Sequence, residues 1–246
     1  MTFDDEAGDR LAVVVGAGGG LGRAFVEELR GEPGWAKVVG VGRRRPDDWP
    51  DDPRLPFLAA DLLDEDALAN LASALSKLGV PGLILIATGM LHEPGVTPEK
   101  SMKAVTAASL SRLFEVNAML PALVCKHLAP LLPRAERSVI AALSARVGSI
   151  GDNRLGGWHA YRSSKAALNM LIRCQAIELA RERPLAICAA LHPGTVDTPL
   201  SAPFARASRS VETPGVAVAR LLKLLHQLEP ADSGGFFDYG GATVPW

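Results

Sequence analysis

The 246-residue sequence lacks an excess of either charge: 26 Lys and Arg stand against 27 Asp and Glu, for a net charge of −1. That balance gives no electrostatic reason to expect nucleic acid or an anionic membrane as a partner, and leaves a small molecule as the expected one. Cysteine is scarce, with only three in the chain. Cys125, Cys174 and Cys188 are odd in number, widely spaced and set in apolar stretches, which argues against a disulfide framework and for reduced, buried thiols in a cytoplasmic protein. The longest apolar run, residues 80–91, contains Pro81 and is too short to span a bilayer as a helix. The first ten residues are acidic and polar, with neither a basic start nor an apolar core, so residues 1–10 are expected to be a flexible lead-in and not a signal peptide. No Pro- or Ser-rich linker splits the chain, so residues 11–246 are expected to form a single domain. His92, His159 and His192 match no metal-ligand spacing, and no metal is expected.

What is present is an alternation of short apolar runs with longer segments of helical periodicity. Strands are expected at residues 11–15, 37–41, 57–60, 82–87, 138–143, 186–191 and 235–239. Each is nearly all apolar, as in strands covered by helices on both faces. Helices are expected at 21–30, 64–77, 109–132, 160–181 and 214–228. The expected fold is therefore α/β: a Rossmann-type, doubly wound, mostly parallel seven-stranded sheet. Residues 198–213, rich in Ser, Pro, Ala and Arg, break the rhythm just after a strand and are expected to form a substrate lid.

The first strand runs into a turn carrying Gly16, Gly18, Gly19, Gly20 and Gly22, with Leu21 among them, at the start of a helix. A pyrophosphate site needs that setting: a tight turn, close backbone approach and helix N-terminal amides facing negative charge. The second strand ends without the acidic residue that would read a free ribose 2′-hydroxyl. Arg43, Arg44 and Arg45 follow instead, so NADP(H) is expected over NAD(H), with Arg43 on the 2′-phosphate. Past the third strand, Asp61 either meets the adenine amino group or opens the next helix, and Leu62 lies beside it.

Tyr161 and Lys165 are four residues apart in a helical segment and so share one face. An unperturbed tyrosine, with a pKa of about 10, is too weak an acid to cycle its proton near neutrality, but a neighbouring ammonium favours the phenolate. Ser144 ends the strand at 138–143, on the carboxyl edge where ligands bind in open α/β sheets, and Asn117 lies in the helix before it. Pro193, Gly194, Val196 and Thr198 follow the next strand. The Tyr-Lys spacing alone is a common accident, and it gains meaning from these companions.

Over essentially its whole length the chain resembles the short-chain dehydrogenase/reductase family. The resemblance implies a cofactor turn at Gly16, Gly20 and Gly22 and a catalytic tetrad of Asn117, Ser144, Tyr161 and Lys165. It also implies a segment from Pro193 to Thr198 that binds the nicotinamide amide. By the same resemblance, Tyr161 is the acid/base, Lys165 lowers its pKa and holds the nicotinamide ribose, Ser144 orients the substrate oxygen, and Asn117 supports a water-mediated proton path. A homodimer or homotetramer is implied, with Leu120, Leu123, Leu128, Leu168, Met170 and Ile172 either joining a partner subunit or completing the monomer core.

The chain departs from the family in two places. Val15-Gly16 replaces a Thr-Gly opening, and Ile86-Ala87-Thr88-Gly89 replaces an Asn-Asn-Ala-Gly motif. Gly89 keeps the close backbone approach to the cofactor, but the hydrogen bonds of the missing asparagines are lost. The stretch around ALSARVGSIGDNRLGGWHAYRSSKAALNM resembles the branch with C-factor-type proteins, linked to cell-to-cell signalling in bacteria. Two functions follow as expectations: an NADP(H)-dependent oxidoreductase acting on a carbonyl or alcohol, and a dinucleotide-binding sensor with little turnover. Trp158 is placed either to wall the substrate pocket or to pack, and Arg146 and Arg154 either to meet an anionic group or to lie exposed.

Overall fold

Leu11, Val13 and Val15 face one side of the first strand and Ala12 and Val14 the other, and all five are fully buried, which is the two-residue alternation of a strand covered on both faces. This computed structural model describes residues 10–204 and 211–246. The strands are β1 (Arg10–Val15), β2 (Lys37–Gly42), β3 (Phe57–Ala59), β4 (Val80–Ile86), β5 (Ser138–Leu143), β6 (Ala186–His192) and β7 (Phe236–Asp238). They form one seven-stranded sheet in the order β3-β2-β1-β4-β5-β6-β7. Every pairing is parallel, where a mostly parallel sheet was expected.

Helices α1 (Gly20–Leu29) and α6 (Pro214–Gln227) pack on one face through Phe25, Val26, Leu29, Leu221 and Leu225. Helices α2 (Glu65–Leu78), α4 (Leu120–Leu128) and α5 (His159–Glu182) cover the other through Leu68, Leu75, Val124, Leu128, Leu168 and Ile172. Strand order reverses between β1 and β4, so the loops leaving those two strands part and open a crevice at the carboxyl edge of the sheet. Among the described residues, no helix is long and apolar enough to cross a membrane.

The single helix expected at 109–132 is in fact α3 (Ala107–Phe114), a π-helical turn (Glu115–Met119), α4 and a final 3-10 turn (Ala129–Leu131). Pro121 supplies a reason for the break. It has no N–H to give the carbonyl four residues back, at Asn117, and its ring crowds that carbonyl, so the backbone widens there.

Other expectations also shift. Arg10, expected in the flexible lead-in, begins β1 and its guanidinium donates to the Arg137 carbonyl at 2.6 Å; residues 1–9 lie outside the described residues. Cys125 and Cys188 are buried, but Cys174 is exposed, because it sits on the face of α5 turned away from the sheet. Of the lid expected at 198–213, residues 205–210 lie outside the described residues. The base of that excursion is pinned by Glu212, whose N–H donates to the Thr195 carbonyl at 3.0 Å and whose carbonyl accepts from Asp197 at 2.8 Å.

Candidate active site

A cavity of about 890 Å³ opens at the switch point, lined by Gly16, Gly18 and Gly19 of the first turn, Arg43 and Arg44 after β2, Asp61 and Leu62 after β3, and residues 87–90 after β4. Its size suits a large ligand. At the start of α1, a Cβ on Gly22 would lie 2.1 Å from the Gly16 carbonyl oxygen, so only glycine lets the helix seat on the turn. Gly20 faces Thr198, whose Cγ2 would be 2.8 Å from a Cβ there, and Leu21 packs on the α1 side of the core.

Arg43 and Arg44 are exposed and make no hydrogen bond within the described residues, whereas Arg45 donates to the Pro50 carbonyl at 3.2 Å. Asp61 does not cap α2. Its carboxylate accepts from the Leu63 N–H at 3.1 Å, and the cap is Asp64, which accepts from Asp66 and Ala67. Thr88 Oγ1 is buried in the groove wall without a hydrogen-bond partner. An orphaned hydroxyl beside a glycine turn fits a bound ligand rich in polar oxygens.

Helix α5 carries Tyr161, Lys165 and Asn169 at successive four-residue steps, each less than a tenth exposed. Lys165 Nζ donates to the Leu143 carbonyl at 2.8 Å, and a Cβ on Gly89 would lie 3.6 Å from that nitrogen, so the amine stands at the groove wall. Ser144 Oγ donates to Asn169 Oδ1 at 2.6 Å. Asn117, in the π-helical turn, binds Met90 twice: its Oδ1 accepts from the Met90 N–H and its Nδ2 donates to the Met90 carbonyl, both at 2.8 Å. Nδ2 also donates to Ser164 Oγ at 3.1 Å. Asn117 thus ties the strap after β4 to α5.

Burial pushes the Tyr161 phenol up from its ordinary pKa and pushes Lys165 down to about 7. The sequence led us to expect an ammonium pulling the phenol down. In the free protein desolvation dominates both groups and favours their neutral forms. Burial also lowers His192 to about 4, with Nδ1 unpartnered and the ring facing Tyr239 at 6.3 Å between centroids.

Next to the groove, beyond His92, the site carries a cluster of rings. Trp158, at φ 52° the only non-glycine residue with positive φ among those described, precedes α5. Its ring meets Tyr161 at 6.2 Å and Phe204 at 5.3 Å, and His92 meets Phe204 at 5.7 Å. Glu99, 4% exposed, holds the helix start: its carbonyl accepts from the Trp158 N–H, and its carboxylate from the Ala160 N–H and the Ser109 hydroxyl. Arg146 is paired with Asp152 at 2.5 Å and Asp238 at 3.7 Å, whereas Arg154 is exposed and donates to the Asn153 carbonyl.

Pro193, Gly194 and Val196 follow β6 and do not line the cavity. Gly194 takes φ +81° against the Tyr239 ring, Val196 bridges to Glu212, and Thr198 closes on Gly20. Sequence reasoning missed Thr88, Met90, Glu99 and Asn169. Of these only Asn169 had a readable signal, its place one further turn along the face already marked by Tyr161 and Lys165.

The family model described as short chain dehydrogenase matches residues 10–208. C-signal of Myxococcus xanthus is 37% identical over 142 residues, covering 58% of this chain and 81% of that protein. The 1-hydroxy-2-glutathionyl-2-methyl-3-butene dehydrogenase of Rhodococcus sp. (strain AD45) is 31% identical over 186 residues, 76% of this chain and 78% of that one. Among solved structures, an NADPH-bound carbonyl reductase from chicken fatty liver superposes with a TM-score of 0.82 at 25% identity, covering 96% of this chain and 99% of that one.

The depressed Lys165 pKa has a consequence for stability. Its folded value of about 7 lies below the unfolded value of about 10.4, so between the two the unfolded chain holds the extra proton and stability rises with pH. In urea melts of the cofactor-free protein from pH 7 to 9, the stability difference between wild type and Lys165→Met should therefore move in favour of wild type as pH rises. Parallel profiles would show that Lys165 keeps an ordinary pKa.

Proposed function

We propose, from the premise that the chain belongs to the short chain dehydrogenase family, that it is an NADP(H)-dependent oxidoreductase that interconverts a carbonyl and an alcohol. The observation that carries this reading is the buried pair of Tyr161 and Lys165, whose amine stands beside Gly89 in the wall of the large groove. Bound along that groove, the nicotinamide cofactor supplies or accepts the hydride. The glycine turn and the start of α1 would hold its pyrophosphate, and Thr88 Oγ1 offers an unused polar contact nearby.

Tyr161 is the acid/base. Its raised pKa keeps the hydroxyl protonated in the free protein, the form that delivers a proton to a carbonyl oxygen gaining charge. Ser144 hydrogen-bonds the same oxygen. Lys165, fixed by Leu143, keeps two N–H donors or a lone pair for the ribose, according to its charge. Asn117 acts here by fixing Met90 and α5, and a water-mediated proton path from it remains part of the proposal. The ring cluster of Trp158, Phe204 and His92 with Tyr161 favours an apolar substrate face, which the described start of the excursion after β6, through Phe204, is proposed to cover. The preference for NADP(H) rests on the absence of an acid after β2 and on two arginines, Arg43 and Arg44, exposed at the groove mouth with no hydrogen bond among the described residues. The NADPH carried by the chicken carbonyl reductase supports it.

A second reading, a dinucleotide-binding signalling protein with little turnover, is motivated by the 37% identity to C-signal. The first measurement is a titration with NADPH and NADH, then absorbance decay against aldehydes, ketones and quinones. Tyr161→Phe should cut turnover by about 10²–10⁴-fold with cofactor binding nearly unchanged. Tight binding with no turnover on any carbonyl would favour the signalling reading. Arg43→Ala should weaken NADPH roughly 10- to 150-fold, the worth of a charge-assisted hydrogen bond of about 1.5–3 kcal/mol, with little effect on NADH. Equal loss for both would reject the 2′-phosphate assignment.

Most of the apolar residues marked as interface candidates, Leu120, Leu128, Leu168 and Ile172, complete the core, but Met170 is 63% exposed, beside Leu171 and Ile177 on the outer face of α5. We place the interface of a homodimer or homotetramer there, along a shallow groove between α4 and α5. Met170→Glu should reduce the assembly to monomers by light scattering; an unchanged mass would place the contact elsewhere.

A further inference from the structure

Ser144 has one proton, and in this structure it is spent on Asn169. Ser144 Oγ donates to Asn169 Oδ1 at 2.6 Å, with both side chains almost wholly enclosed. A hydroxyl in that state offers only lone pairs to the space above the tip of β5. A substrate carbonyl oxygen is itself an acceptor, so it meets no donor from Ser144 until the serine proton turns away from Asn169. Turning it away with the amide unchanged would leave two oxygens facing each other across a short, dry gap, which is unfavourable in a low-dielectric interior.

The other end of the same amide is also out of balance. Asn169 Nδ2 is buried without any hydrogen-bond partner. Rotating the amide by a half-turn about its last bond corrects both defects. Nδ2 then donates to Ser144 Oγ, the serine proton is released toward the substrate oxygen, and Oδ1 takes the unpartnered position, which a carbonyl tolerates better than an N–H group does. No bond breaks and no proton changes its owner. The two arrangements differ by one lost and one gained hydrogen bond, so an incoming acceptor can select between them.

We propose that Asn169 is a positioning residue whose side-chain amide sets the hydrogen-bond polarity of Ser144, accepting from it in the free protein and donating to it when a carbonyl occupies the site. This inference rests on the oxidoreductase reading above. It gives the four-residue series Tyr161, Lys165, Asn169 a single logic, with one helix face holding the proton donor, the amine beside the groove and the group that orients the serine.

The test separates polarity from shape. Asn169→Asp keeps the size and the bond to Ser144 but can only accept, so at pH 8 it should trap the serine proton and lower kcat/KM by about 100-fold or more. Asn169→Leu is close in size, cannot trap the proton, and should lose only about 10-fold. The same transition state is crossed both ways, so each variant should lose the same factor in carbonyl reduction with NADPH and in oxidation of the product alcohol with NADP⁺. Apart from activity, Asn169→Leu removes an unsatisfied buried donor, so the cofactor-free variant should melt within about 3 °C of wild type or above it. Asn169→Asp should cause no further loss in a Ser144→Ala background, where there is no proton to trap.

A merely structural bond ranks the variants the other way. Asn169→Asp as active as wild type, Asn169→Leu worse than Asn169→Asp, or an added loss in the Ser144→Ala background would overturn the inference. An unfolded Asn169→Leu variant leaves the Ser144→Ala cycle to decide. Wild-type protein inactive on every aldehyde, ketone and quinone removes the oxidoreductase reading, and this inference with it. Active wild type with the wrong order of variants removes the inference alone.

Discussion

Everything at the carboxyl edge of the sheet depends on one face of α5 lying buried against the tip of β5. That face is polar: Tyr161, Ser164, Lys165 and Asn169 are all buried. Polar side chains are held in such a place only if partners wait for them. Lys165 finds the Leu143 carbonyl, Asn169 finds Ser144, and Ser164 finds both the Tyr161 carbonyl and Asn117. The helix is thereby locked in register with the strand tip and with the strap after β4, and the reacting groups inherit their positions from that lock.

The same burial sets their charge. Desolvation alone raises Tyr161 and lowers Lys165, which leaves a protonated phenol beside an amine near the midpoint of its titration at neutral pH. Neither group is fixed in its state by a local ion pair. Their protonation therefore answers to whatever fills the groove, since a ligand brings its own charge. The protonated phenol suits delivery of a proton to an oxygen gaining charge, and Ser144 is bound to an amide able to donate or accept.

The βαβ rhythm was legible because apolar strands covered on both faces leave runs such as LAVVV and AICAAL, and because Gly22 and its neighbours mark the first turn. All seven strands lie within a few residues of their expected places. The site was legible where chemistry recurs at helical spacing, as with Tyr161 and Lys165. The rest was hidden for physical reasons. The widened turn at Asn117 needs a carbonyl freed by Pro121, a relation between backbone atoms that hydrophobic periodicity does not record. Trp158 adopts a left-handed conformation because Glu99, some sixty residues away, grips the start of α5, and nothing local in the sequence announces that grip. Arg146 looked available for an anion, but Asp152 and Asp238 claim it through folds of the chain that bring distant segments together.

Unpaired polar atoms give an independent measure of where this fold is incomplete. A buried donor or acceptor without a partner is unfavourable, so such atoms are few and their locations carry information. Thr88 Oγ1 lies just past β4, His192 Nδ1 at the end of β6, and Asn169 Nδ2 on α5 beneath the tip of β5; Ser138 Oγ, at the opposite end of β5, and Glu212 Oε2, in the excursion before α6, are exceptions. Two strands, β4 and β6, and the helix that lies over the tip of β5 thus carry an unsatisfied group on the one edge where strand order opens a crevice. Pairing these groups internally would stabilise the fold while closing the crevice to polar ligands. The arrangement is what a sheet edge requires if its remaining hydrogen bonds are to be completed by a ligand and not by the chain itself.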